Sequence, residues 1–187
     1  MLSMNFRRYI SLIFSGLLAL IWISSCSTRS KADLMKSLAG MYKLVIIENV
    51  DSSTGQWSED PWAAGGESYI IYDGLGHMAV EITPKDYKAF KWITENQSTD
   101  QKRFNQHIDT MSDAALKAAV REFAANYVYF ANVRINDTAD IVSHDRISGT
   151  IPAVWGTAVH RTFRFSGDTL ILQVLNGNRR LKWIRMK

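Results

Sequence analysis

From Gly40 onward, apolar residues recur at every second position. Tyr42, Leu44 and Ile46 share one face of a strand, and Lys43, Val45 and Ile47 the other. Further strands are predicted over Ser68–Tyr72, over His77–Thr83 with Met78, Val80 and Ile82 aligned, over Val128–Ile135 and over Asp140–Ile147. Ser148–Trp155 is an extended crossing segment. Thr157–Phe165, Thr169–Val174 and Arg179–Met186 complete the series. Asp73-Gly74-Leu75-Gly76, Asn136–Ala139, Ser166-Gly167-Asp168 and Asn176-Gly177-Asn178 supply the turns, and Asp51–Gly66 is a long loop.

The period changes to that of a helix between residues 84 and 126. Thr83-Pro84-Lys85-Asp86 is a helix start, and Phe90 and Ile93 give this helix a weak apolar face. Ser98/Thr99 starts a second helix with Phe104, Ile108 and Met111 in line. Ser112-Asp113 starts a third, with Leu116, Val120, Phe123 and Tyr127 forming a stripe. The expectation is a mainly β protein, an eight-stranded antiparallel barrel with a helical insertion between strands 3 and 4. A closed barrel leaves no exposed edges, and its interior has room for one small ligand.

The first 25 residues follow another pattern. Arg7 and Arg8 precede the uncharged stretch Ile10–Ile23, which is short for a membrane span, and Ile23-Ser24-Ser25-Cys26 follows. That ending resembles the bacterial lipobox. The resemblance implies cleavage before Cys26, diacylation of its sulfur and a membrane anchor there. Residues 26–37 are then the lipidated terminus and tether, and 38–187 the domain. Because Ser27 is not aspartate, the same resemblance implies the outer membrane, facing the periplasm.

Removing residues 1–25 takes away two arginines and no acid, which leaves a net charge of +2. No basic cluster suggests a nucleic-acid partner. Cys26 is the only cysteine, so no disulfide forms within the chain and a packed core must stabilise it. Nothing in the sequence bears on oligomeric state.

The chain resembles the bacterial lipocalin-like domain proteins, of calycin type. The resemblance rests on Leu38–Leu44, Tyr69–Met78, Tyr129–Asn132, Val142–His144, Pro152 with Trp155-Gly156, Arg161 with Phe163–Leu170, and Leu181–Arg185. It implies a barrel around an apolar cavity and no particular activity. The lipocalin Gly-x-Trp is here Gly40-x-Tyr42. The family's arginine near the last strand corresponds to Arg185, set to pack over Tyr42 near Trp183 and close the barrel.

Arg161 shares the face of Val159, Phe163 and Phe165. An arginine stays charged and needs a partner there. Three readings stay open: a structural pair with a buried acid or backbone carbonyls, an anchor for a ligand's carboxylate or phosphate, or a side chain turned to water. His144 shares a face with Val142 and Arg146, but Ile141 and Ile147 occupy the other, so its side is ambiguous. It is a core histidine, a polar contact in the cavity or a proton carrier. His77, His107 and His160 are expected on the surface. Tyr72, Met78, Tyr129 and Trp155 join Arg161 and His144 as candidate ligand-lining residues.

No histidine and carboxylate have metal-ligand spacing, no cofactor motif occurs, and catalytic signatures are missing. Glu48, Asp145 and His144 are candidates for an acid/base set, and a tyrosine, a histidine and an arginine would serve a barrel that isomerises or cyclises an apolar substrate. The favoured reading is a lipid-anchored envelope protein that binds or carries a small hydrophobic, fatty-acid-like molecule. An isomerase- or cyclase-type enzyme using the same cavity is one alternative. A filled barrel acting as an envelope interaction module is the other.

Overall fold

The computed structural model describes residues 30–136 and 140–187. The leader, Cys26 and most of the turn expected after Asn136 lie outside the described residues.

The chain enters through helix α1 (Lys31–Leu38), followed by strands β1 (Gly40–Val50), β2 (Trp57–Glu59), β3 (Tyr69–Tyr72) and β4 (His77–Ile82). Helices α2 (Glu95–Ser98), α3 (Gln101–Thr110) and α4 (Asp113–Ala125) come next. Strands β5 (Tyr127–Ile135), β6 (Ile141–Gly149), β7 (Ala158–Ser166), β8 (Thr169–Val174) and β9 (Arg179–Arg185) follow. Strands β3 to β9 pair antiparallel in chain order, β1 pairs β3, and β9 returns to β1. The result is a closed eight-stranded barrel. The short β2 pairs only with the far end of β1, Glu48 opposite Glu59 and Val50 opposite Trp57. It falls in the stretch expected as loop, because three residues are too few to show a period.

Strand alternation fills the interior. Tyr42, Ile70, Tyr72, Met78, Val80 and Trp183 belong to one buried cluster. Full burial of a large apolar side chain contributes about 2–3 kcal/mol. Two bulges shift the parity read from the sequence. On β1, Leu44 faces Trp183 and Ile46 faces Lys182, so Val45 is an extra residue and is 58% exposed. Ile47, not Ile46, then becomes the buried position. On β6, Ser148 pairs Phe130 and Arg146 pairs Ala131, which leaves Ile147 as the extra residue, pushed outward. That bulge resolves the ambiguity at His144: Val142 and His144 point in.

Helix α1 closes one end. Leu34 and Leu38 join the core, and the Tyr42 hydroxyl donates to the Leu38 carbonyl at 2.8 Å. Arg185 donates to the carbonyls of Ala39 and Ser37, satisfying two acceptors at the helix end.

The chain between β4 and β5 emerges at the other end. No α-helix begins at Pro84. Asp86 has φ 66, a left-handed backbone, and leads only to a single 3-10 turn at Tyr87–Ala89. Asp100, not Ser98 or Thr99, caps α3 by accepting from Arg103 N at 3.0 Å. Ser112 caps α4, and Tyr127, expected on its stripe, begins β5 instead. Among the described residues no helix is long and apolar enough to cross a membrane.

Candidate ligand site at the barrel mouth

His144 lies inside the barrel with no exposed surface. Strand β6 carries it opposite Val133 on β5 and Val159 on β7. The Tyr72 hydroxyl stands 2.9 Å from its Nε2 and the Tyr129 hydroxyl 2.9 Å from its Nδ1. Burial first, and the Arg161 charge second, push the His144 pKa down to about 3. The ring is therefore neutral near neutral pH and does not carry protons there. Burial pushes Tyr129 up to about 12 and Tyr72 well above the usual tyrosine value.

Arg161 sits on β7 between Val142 of β6 and Val174 of β8. Its side chain points inward against Tyr129 and His144. Among the described residues no carboxylate pairs with it, and its Nη1 is buried without a hydrogen-bond partner. Of the three readings, pairing with a buried acid finds no acid here, and the outward reading is overturned.

Two spaces meet at Arg161. A small cavity of about 20 Å³ lies below, with Tyr129, His144, Arg161 and Trp183 on its wall. An open funnel of about 450 Å³ lies above, lined by Trp62, Ile82, Tyr127 and Leu181, with Asp60 and Arg179 on its wall. Ile82, Tyr127, Arg161 and Leu181 border both spaces. Arg179 is already engaged: it pairs with Asp60 at 3.0 Å and stacks over Trp62 at 5.7 Å. Arg146 donates to the Tyr127 hydroxyl at 3.3 Å and to Thr157 Oγ1 at 2.5 Å. At the foot of the funnel, Arg161 keeps a donor unused.

The other expected residues fall elsewhere. Tyr72 and Met78 are buried core and border neither space. Trp155 is 47% exposed, its Nε1 donating to the Gly149 carbonyl at 3.2 Å. Strand β6 ends at Gly149 and a 3-10 turn follows, so the alternation that placed Trp155 inward does not reach it. Tyr42, Trp183 and Arg185 lie at the closed end of the barrel wall, the Arg185 guanidinium 4.6 Å from the Tyr42 ring centre.

Glu48, Asp145 and His144 do not assemble. Glu48 binds Arg180 at 2.6 Å and Lys182 at 2.9 Å. Asp145 binds Arg134, while His144 faces the interior. Among the described residues that acid/base set therefore does not form. His77 pairs with Asp73, and His160 with Ser143 outside the wall. His107, expected to be solvated, is half-buried and its Nε2–H donates to the Trp92 carbonyl. Among the described residues no three histidine, cysteine or acidic side chains gather to hold a metal ion.

Asp60, Trp62 and Arg179 escaped the sequence reading, since the first two lie in the expected loop and turn geometry sets the third. The alternation Tyr127, Tyr129, Ala131 was the signal that could have placed Tyr127. A larger cleft of about 550 Å³ lies within the helical segment, lined by Trp92, Phe104, Ile108, Leu116 and Phe123. It is apolar and holds no charged group to orient a guest, so the funnel is the better candidate.

No curated protein and no solved structure matches the chain. The model of the lipocalin-like domain family matches residues 39–184, which run from the start of β1 to all but the last residue of β9 and include the site around Arg161. The chain therefore belongs to the lipocalin-like domain family.

Proposed function

We propose that the protein binds a small amphiphile with an anionic head at the mouth of its barrel, with Arg161 as the anchor for that head. A lipocalin-like barrel suggests a small hydrophobic ligand; the anionic head is the finer step. One observation carries it. Arg161 turns inward at the foot of the funnel and keeps a buried donor without a partner. A buried donor left without a partner is costly, and a carboxylate or phosphate oxygen from the guest offsets that cost. The deep interior cavity expected from the sequence is reduced to about 20 Å³, far below a ligand pocket's few hundred. The funnel, at about 450 Å³, has the needed room. The guest's tail then lies against Trp62, Ile82 and Leu181 at the mouth. As part of the same reading, cleavage before Cys26 and acylation of its sulfur tether the domain to the outer membrane, facing the periplasm.

Calorimetric titration with laurate and dodecanol tests this. Laurate should bind about 10–100 times more tightly, the worth of hydrogen bonds to a charged group. Arg161→Ala should erase the preference. Equal affinities, or a preference that survives the substitution, would count against the anchor.

A second reading has one observation in its favour. The interior is nearly filled, and Phe130, Ile147 and Ile151 stand exposed on β5, on β6 and just after it. Those are the features of an envelope interaction module. If neither amphiphile binds, polar substitutions at Phe130 and Ile147 should abolish cross-linking to an envelope partner.

A further inference from the structure

We infer that the small cavity beneath Arg161 is a donor-only well that receives a single anionic acceptor atom, which on the amphiphile reading is one oxygen of an ionised carboxylate. This rests on the proposed function and deepens it to a class of head group.

Three side chains that line the well carry donors. Arg161 Nη1 and Trp183 Nε1 are both buried without hydrogen-bond partners, and Trp183 is only 1% exposed. The third is the Tyr129 hydroxyl, and its direction follows from proton counting. A neutral imidazole has one N–H and one bare nitrogen, yet a tyrosine hydroxyl stands at each. One hydroxyl must donate to the ring and the other must accept from it. The accepting hydroxyl keeps its own proton for another partner. Tyr72 is buried where neither space reaches and has no other hydrogen bond, so a spare proton there would be stranded. Tyr129 borders the well. The lower-cost arrangement has Tyr72 donating to Nε2, Nδ1–H donating to Tyr129, and the Tyr129 proton aimed into the well. His144 is thus a positioning residue that fixes the polarity of Tyr129.

About 20 Å³ accommodates one atom of water size. Of the rest of the wall, Ile70, Val80 and Leu172 are apolar, and the Tyr127 hydroxyl oxygen already accepts from Arg146. A carboxylate oxygen accepts from all three donors. A neutral alcohol oxygen accepts these bonds more weakly than a carboxylate oxygen does, and an ammonium group cannot accept at all, which places the selectivity in the head group.

The test is NMR of ¹⁵N-labelled protein, with the Trp183 indole signal assigned through Trp183→Phe. Titration with laurate should shift that signal; dodecanol should leave it in place. His144 should report the Nδ1–H tautomer. Tyr129→Phe, which preserves the ring's packing, should weaken laurate about fivefold or more and leave dodecanol unchanged. If laurate binds through Arg161 while the indole signal stays still and Tyr129→Phe binds as the parent does, the well is wrong and the funnel reading survives. If laurate fails but sodium chloride shifts the indole signal, the well stands as a halide site and the amphiphile reading falls. If neither moves it, the well holds only water and the inference is overturned.

Discussion

Arg185 lies 4.6 Å above the centre of the Tyr42 ring while its two Nη atoms donate to the carbonyls of Ala39 and Ser37. One side chain thereby ties the last strand to the first strand and to the end of α1. Arg185→Ala should lower unfolding free energy by about 2–4 kcal/mol, combining a cation–π contact with two charge-assisted hydrogen bonds. Arg185→Lys should recover less than half, because a single ammonium cannot stack and bridge both carbonyls. Urea denaturation of the three proteins measures this.

Gly40 makes that arrangement possible. Its φ is +138°, and a Cβ there would come within 2.5 Å of Arg185 Nη1. Gly40→Ala should cost about 1–3 kcal/mol from backbone strain, with the clash added. Combined with Arg185→Ala, the loss should be smaller than the sum of the two, because the second change removes the clash. Strict additivity in a double-mutant cycle would contradict this coupling.

His144 makes the fold sensitive to acid. Its folded pKa of about 3 lies below the unfolded value near 6.5. Between these values the unfolded chain binds a proton that the folded chain refuses. Stability therefore falls as pH drops through that window, by roughly 1 kcal/mol per unit, and is unaffected by this group above it. Arg161 and Arg146 oppose the proton and Asp145 favours it, while Tyr72 and Tyr129 hold the neutral ring. His144→Gln should flatten the stability profile between pH 6 and 4. The surface carboxylates remain in both proteins, so an unchanged slope would mean that His144 does not set it.

Cys26→Ser should abolish incorporation of labelled fatty acid and move the protein from the membrane fraction to the soluble one. Labelling that persists without Cys26 would contradict the proposed anchor.

The barrel was legible because alternation survives in six of its eight walls without correction, from Ile70 and Tyr72 on β3 to Leu181 and Trp183 on β9. The inward face of β7, and so the orientation of Arg161, was visible for the same reason. Single extra residues at Val45 and Ile147 were not, since a bulge is set by pairing with the neighbouring strand. The mouth was hidden for a different reason: Asp60 and Trp62 lie in an aperiodic segment, and only folding brings them to Arg179. Interior volume was least legible. The same residues can line a cavity or fill it, and here the rings of Tyr72, Tyr129 and His144 fill it.

The most direct test of the central claim is native mass spectrometry of residues 27–187, purified from cells without detergent. An adduct of one small acidic amphiphile is expected, released on denaturation and lost in Arg161→Ala. A bare native mass that takes up nothing from a lipid extract, or an adduct that Arg161→Ala retains, would contradict it.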